Sequence, residues 1–187
     1  MLILCGPSCA GKTTFGSFAA ERGFKVIEGS NAVRALFKEQ RLEDEDVINF
    51  CLRWYSEEGK DVFARANIDI LRSEGIDPDR VVFVGCRTLE EVEYLSKCSS
   101  HASVISLHAD TSIRFQRNIE RDRSHKALTL ADFVKQDMRE LDMGLAHILS
   151  QTANRFIVNE ASLADLEALA SHELMSHFDG FSGLAEI

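Results

Sequence analysis

Met1-Leu2-Ile3-Leu4-Cys5-Gly6-Pro7-Ser8-Cys9-Ala10-Gly11-Lys12-Thr13-Thr14 opens the chain, and its reading decides the fold. The apolar run at 1–5 predicts a buried strand, and Phe15-Gly16-Ser17-Phe18-Ala19-Ala20 predicts a helix after it. Between them, Gly6 to Thr13 carries the spacing G-x-x-x-x-G-K-[ST], in the strand–loop–helix context where that spacing cradles phosphates. The glycines let the backbone curl so that successive N–H groups converge on phosphate oxygens. The helix that follows adds the partial positive charge of its N-terminus. Lys12 can reach the β- and γ-phosphates, and the Thr13 hydroxyl can ligate Mg2+. Gly6, Ser8, Cys9, Ala10, Gly11, Lys12, Thr13 and Thr14 are therefore the expected contacts of ATP, with Thr13 the expected metal ligand. A buried strand that starts at Met1 is expected to leave no room for a targeting peptide.

The 187 residues suit a single domain with its own core. The 45% apolar and 27% charged content is that of a soluble globular chain. No apolar stretch approaches the ~20 residues of a bilayer span, so no membrane partner is expected. The net charge of −9 repels a polyanion and argues against nucleic acid as the partner. A small nucleotide needs only a local basic pocket. The five cysteines, Cys5, Cys9, Cys51, Cys86 and Cys98, are odd in number and form no C-x-x-C pair. That argues against a disulfide framework or a zinc site and places the chain in a reducing cytoplasm. Cys9 is either a reactive thiol at a helix N-terminus or a small residue that fits the loop. Monomer and homodimer both fit the sequence.

Further along, strands and helices alternate. Gly23 ends the first helix, Phe24-Lys25-Val26-Ile27 reads as a second strand, and 31–40 as a short helix after the turn at Glu28-Gly29-Ser30. Glu43-Asp44-Glu45-Asp46 opens further helix with the acidic first turn that helix dipoles favour, and helix continues to about Glu74 with a break near Gly59. Trp54 and Tyr55 lie here, readable as core packing or as base stacking. Val81-Val82-Phe83-Val84 is the continuous apolar run of a buried parallel strand, and Thr88-Leu89-Glu90-Glu91 is a capping box opening the next helix. Strands are expected at 102–109 and 155–158, and helices at 111–123, from Thr129 to about Gln151, and at 162–177. The last carries Leu163, Leu166, Leu169, Ala170 and Leu174 on one stripe. The predicted architecture is a three-layer α/β P-loop NTPase fold, a five-stranded parallel sheet with helices on both faces. Ligands of such sheets sit at the carboxyl ends of the strands. The phosphate loop, Glu28 to Arg34, Gly85 to Arg87 and the segment after Asp110 all lie there.

A kinase acting between nucleotides needs a second anion site, usually arginine, whose fork suits phosphate oxygens. Arg34 follows the second strand and Arg87 the third. Arg114, Arg117 and Arg121 are three and four apart on one helix face, with Arg123 close by. Here the chain resembles the adenylate-kinase-like nucleoside monophosphate kinases, and more closely an archaeal set of nucleotide kinases related to dephospho-CoA kinase. The resemblance covers nearly the whole chain. Ser30-Asn31-Ala32-Val33-Arg34 is similar to G-D-x-x-R, and 84–91 to D-G-x-R-[ST]-x-E-E. The stretch 114–123 resembles the arginine-rich start of a lid, and Gln136-Asp137-Met138-Arg139-Glu140 resembles R-D-x-R-E. Asn159, with Ser162-Leu163, is similar to the N-x-x-S-L beside the adenine. The phosphate loop is the specific element; the others count through their order.

The resemblance implies that Arg34 and Arg87 hold the acceptor phosphate, with Glu28 and Asn31 beside them. It implies that Arg117, Arg121, Arg123 and Arg139 are lid or near-lid groups closing over the transferred phosphoryl. On this reading Lys12, Arg87, Arg117, Arg121 and Arg139 are catalytic. An acceptor-binding insert spans about 31–74 and a lid about 114–130. Two family acids are missing, replaced by Asn31 and Val84. A hydroxyl acceptor needs a general base, whereas a phosphate acceptor is already ionised and needs positioning. The expected reaction is Mg2+-dependent transfer from ATP to a small-molecule nucleotide acceptor, a nucleoside or deoxynucleoside monophosphate. One alternative is a hydroxyl acceptor with Glu28 as base; another is a nucleotide-binding module without transfer.

Overall fold

The computed structural model describes residues 1–39, 46–121 and 129–178. The five apolar runs become β1 (Leu2–Cys5), β2 (Lys25–Glu28), β3 (Val81–Val84), β4 (Ser103–His108) and β5 (Arg155–Val158). All pair in parallel, in the order β2-β3-β1-β4-β5. β1 and β3 are buried along their whole length, which is why their sequences are unbroken apolar runs rather than alternating ones. β5 closes one edge and exposes Phe156 and Val158.

Helices α1 (Lys12–Glu21), α2 (Ser30–Glu39), α3 (Val47–Glu58), α4 (Val62–Ser73), α5 (Leu89–Lys97), α6 (Thr111–Glu120), α7 (Leu130–Glu140) and α8 (Leu163–Phe178) join the strands. Side chains alternate across the sheet, so each strand feeds both outer layers. Leu2, Leu4, Val82 and Val84 pack under α1 and α8, against Phe15, Phe18, Leu166 and Leu174. Met1, Ile3, Val81 and Phe83 face the other way, against Ile68 and Leu71 of α4 and Val92 and Leu95 of α5. This is the expected three-layer fold. A third cluster lies outside the sheet: Phe50, Tyr55, Val62, Phe63 and Met143, with Trp54 against it, bind α2, α3 and α4 to one another. Trp54 and Tyr55 are thus core residues of that outer unit.

Local chemistry sets several boundaries. Asp46 caps α3, its carboxylate accepting from Ile48 N at 3.0 Å and Asn49 N at 3.2 Å. The acidic first turn expected from 43–46 is therefore not part of α3, which begins at Val47 with no acid in its first turn; residues 43–45 lie outside the described residues. Thr88 and Glu91 form the capping box read from the sequence. Three further expectations change. The uniform helix from Thr129 to Gln151 ends at Glu140, and the chain continues as π-helical turns at Leu141–Leu145 and Ile148–Thr152. Gly144 makes the kink at φ 135°; a Cβ there would stand 3.1 Å from the Arg87 carbonyl oxygen and 3.3 Å from Thr88 Cα. The kink therefore lets this segment seat against the loop after β3. The apolar stripe of α8 is narrower than expected, with Leu166, Ala170 and Leu174 buried while Leu163 and Leu169 are exposed. Finally, α6 stops at Glu120, so Arg121 is its C-cap, and Arg123 lies outside the described residues with 122–128 of the lid. Among the described residues no helix is long and apolar enough to cross a membrane.

Candidate active site

Lys12 folds back over its own loop, donating from Nζ to the carbonyls of Gly6 at 2.7 Å and Pro7 at 2.8 Å. Burial pushes its pKa down to about 8; Arg87 adds to the fall and Glu140 opposes it. Gly11, at φ 107°, is the N-cap of α1, and no side chain caps the first turn that Lys12, Thr13 and Thr14 begin. Those backbone N–H groups are the ready anion site of a helix N-terminus. Asn159, just past β5, pins the loop, its Nδ2 donating to Ala10 O at 2.9 Å. A Cβ on Gly11 would lie 2.2 Å from that nitrogen, so the position has room for glycine alone. Cys9 holds the left-handed conformation at φ 61°, and its Sγ lies 3.9 Å from Asn118 Oδ1.

On the β4–β5 side of the loop lies a cavity of about 310 Å3, lined by Gly11, Thr14, Arg117, Arg121, Asn159 and Leu163 among others. Arg117 donates to Asn159 O at 2.9 Å and reaches Cys9 O at 3.5 Å. Arg121 lies 3.5 Å from Thr14 Oγ1. Arg114 has a different environment. It is buried, pairs with both oxygens of Asp137 at 2.9 and 2.5 Å, and bonds Ser8 O at 3.1 Å and Ala109 O at 3.0 Å. The three arginines that share a helix face in the sequence therefore divide: Arg117 and Arg121 line the cavity beside the loop, and Arg114 braces the loop from behind.

On the β3–β2 side lies a larger cavity of about 550 Å3. Val33, Ile48, Cys51, Tyr55, Phe63 and Met143 form an apolar wall; Asp46, Asp132, Lys135, Gln136 and Arg139 lie on its polar side. Arg87, Glu91 and Glu140 complete the lining. The Arg87 side chain is 26% exposed, and its Nε stands 3.7 Å from Glu140 Oε2. Burial works against the Arg87 charge, but Glu140 and Glu91 outweigh it and raise its pKa. Glu140 Oε1 accepts from Ser8 Oγ at 2.8 Å, while its Oε2 is buried with no hydrogen-bond partner among the described residues. Burial would raise the Glu140 pKa, yet Arg87, Lys12 and Ser8 together hold it below the usual value. Glu91 goes the other way: burial pushes it up to about 7, although it accepts from Arg87 N at 2.7 Å and Thr88 N at 3.2 Å.

Glu28 ends β2 and lines neither cavity. Asn31 and Arg34 are exposed on α2, where Arg34 Nη2 donates to Asn31 Oδ1 at 2.8 Å, and neither belongs to the cavity lining. Arg139 reaches across the larger cavity to the start of α3, bonding Asp46 Oδ1 at 2.8 Å and Asn49 Oδ1 at 2.9 Å. The structure thus gathers Ser8, Lys12 and Arg87 around Glu140. Sequence reasoning missed Glu140, although it closes the stretch Gln136–Glu140 from which only Arg139 was drawn. Glu91 was read only as a helix cap.

A nucleotide-binding loop at the carboxyl ends of a parallel sheet, with a cavity on either side, defines a P-loop NTPase of kinase-like fold. A family model described as an AAA domain matches residues 2–140, and the chain belongs to that P-loop family. It is 29% identical over 180 residues to a UPF0200 protein of Thermoplasma volcanium, covering 95% of this chain and 98% of that one. Among solved structures, shikimate kinase from Acinetobacter baumannii in complex with shikimate aligns with a TM-score of 0.57 and 18% identity, covering 96% of this chain and 93% of that one. Deoxyadenosine kinase from M. mycoides aligns with a TM-score of 0.53 and 15% identity, covering 94% and 100%. At these identities the structural likenesses show the fold.

Proposed function

We propose that the chain transfers the γ-phosphoryl group of ATP, with Mg2+, to a nucleoside or deoxynucleoside monophosphate. The observation that supports this acceptor is Arg87, partly exposed on the lining of a cavity whose wall is largely apolar and aromatic. A planar base gains from such a wall, whereas a polyol buried there would leave hydroxyls without partners. A phosphate on the same molecule gains from the guanidinium. In this reading Lys12 holds the donor phosphates and Thr13 is the protein's hydroxyl ligand to Mg2+. The fit is adequate because phosphates and waters supply most ligands of that ion. The ion, when bound, supplies charge that neutralises the β- and γ-phosphate oxygens. Arg117, Arg121 and Asn159 flank the donor; Arg87 and Arg139 serve the acceptor. Residues 31–74 form the acceptor-binding insert and 114–130 the lid. An acceptor phosphate oxygen bonds to the γ-phosphorus as its bond to the β-bridging oxygen breaks, leaving ADP and a diphosphate.

A second reading keeps the donor and takes a hydroxyl acceptor. Glu28 lines neither cavity and is a poor candidate base. Glu140, whose buried Oε2 makes no hydrogen bond among the described residues, is the better one. A panel of monophosphates and hydroxyl compounds, incubated with labelled ATP and Mg2+, tests both. Label on monophosphates supports the first reading, label on hydroxyl compounds alone supports the second, and ATP binding without any labelled product overturns both.

A further inference from the structure

Two arginines near the loop are held in opposite ways, and the contrast isolates Glu140. Arg114 donates through Nε, Nη1 and Nη2 to two carbonyls, a hydroxyl and both Asp137 oxygens, so its fork is saturated by the protein. The Arg87 guanidinium makes one hydrogen bond among the described residues, from Nη1 to Cys86 O at 3.4 Å. Its Nε faces Glu140 Oε2 at 3.7 Å, an ion-pair distance rather than a hydrogen bond. Arg87 therefore keeps donors for a ligand and is held in place mainly by charge. Glu140 is itself fixed twice. Its other oxygen accepts from Ser8 Oγ at 2.8 Å, and one turn earlier Asp137 is tied through Arg114 to the Ser8 carbonyl. The end of α7 is thus joined to Ser8 by both side chain and backbone.

We propose that Glu140 is a positioning residue that acts through Arg87, holding the acceptor-side guanidinium at a fixed place relative to the phosphate loop. A carboxylate beside phosphates does not help to bind them, so its presence here costs affinity. What it supplies is orientation: without it, Arg87 and Lys12 repel one another, and the Arg87 fork is free to swing into the cavity. Transfer depends on such placement, because misplacement by an ångström costs about two orders of magnitude in rate. The proposal rests on the reading of Arg87 as an acceptor-side group.

The test compares wild type, Glu140→Gln, Arg87→Gln and the double variant. Glu140→Gln keeps an oxygen for Ser8 but removes the charge. Nitrogen-15 spectra of the uncomplexed protein follow the Arg87 Nε–H, assigned by its loss in Arg87→Gln. Because the facing Glu140 charge disfavours hydroxide-catalysed exchange at Nε, this proton is expected to exchange with water at least tenfold faster in Glu140→Gln than in wild type, with the Arg114 Nε–H unchanged as internal control. In turnover of the monophosphate that the panel identifies, Glu140→Gln is expected to lower kcat at least tenfold while the KM for ATP changes less than threefold. In the Arg87→Gln background it should bring no further loss. Unchanged Arg87 exchange overturns the proposal, and so do losses that multiply in the double variant. If Glu140→Gln does not fold, Glu140→Asp withdraws the charge by one methylene and should show the same faster exchange; wild-type exchange in that variant also overturns it. The exchange measurement needs no acceptor, so a panel without labelled monophosphate ends the functional reading and leaves this result to be judged by itself.

Discussion

Glu91 carries the sharpest residue-scale consequence. Its Oε2 is committed to the backbone N–H groups of Arg87 and Thr88, and burial still pushes its pKa from 4.5 up to about 7. Arg87 pulls the value down and Asp61 pushes it up, both less than burial. The folded protein therefore binds this proton more tightly than the unfolded chain. Stability from the group is present in full below about pH 4.5 and is lost as pH rises through about 7. Glu91→Gln keeps an acceptor for both N–H groups and removes the titration. Relative to wild type it should be near neutral at pH 5 and more stable at pH 8, by on the order of 1–3 kcal/mol. Urea unfolding of both proteins at the two pH values measures this; a gap that does not widen with pH contradicts the assignment. Glu91 was legible in the sequence as a cap because capping is local, spanning three residues. Its second role, lining a cavity beside Arg87, depends on α3 and α7 arriving from elsewhere, and no local pattern encodes that.

Among elements, the pair α6–α7 depends on the Arg114–Asp137 bridge, both partners being buried. Removing one partner of such a bridge strands the other charge, at a cost of about 3–5 kcal/mol, while replacing both by apolar groups is often close to neutral. Asp137→Asn should therefore lower the thermal midpoint by several degrees. The double change Arg114→Met with Asp137→Leu should recover most of the loss, but not the brace on Ser8. Calorimetric scans of the three proteins decide it; a double variant no more stable than Asp137→Asn would mean that the bridge's hydrogen bonds outweigh its burial cost. The strands and the starts of α5 and α7 were readable, because apolar runs and the Thr88 and Thr129 caps are local signals, whereas Asp46, expected within an acidic first turn, is the N-cap of α3. The kink at Gly144 was not readable. Its glycine is needed by a contact with Arg87 and Thr88, more than fifty residues away in the chain. For the same reason no local pattern marks Glu140, since its partner Ser8 is 132 residues distant.

Across the whole molecule, strand order explains what the two cavities beside the phosphate loop are made of. β1 delivers the phosphate loop to the middle of the sheet. β3 and β2 lie to one side, and the turns after them supply Arg87, Gly85 and Gly29 to the larger cavity. β4 and β5 lie to the other, and the segments after them supply Arg117, Arg121 and Asn159 to the smaller one. The loop lies between them: Gly11 and Thr14 line the smaller cavity, and Ser8 bonds Glu140 of the larger one's lining. If both cavities hold nucleotides, one molecule with two nucleosides joined by a phosphate chain can occupy both, and its second half binds at the high effective concentration that a short tether gives. A dinucleoside polyphosphate should then bind more tightly than ATP by at least about tenfold, provided the chain is long enough to span the loop. The gain should fall away as the phosphate chain is shortened, and Arg87→Gln should remove more of it than it removes from ATP binding. Titration calorimetry with a series of chain lengths tests this without turnover. An affinity that matches ATP at every length would mean that the larger cavity does not take a nucleotide, and that its apolar wall and Arg87 serve an acceptor of another kind.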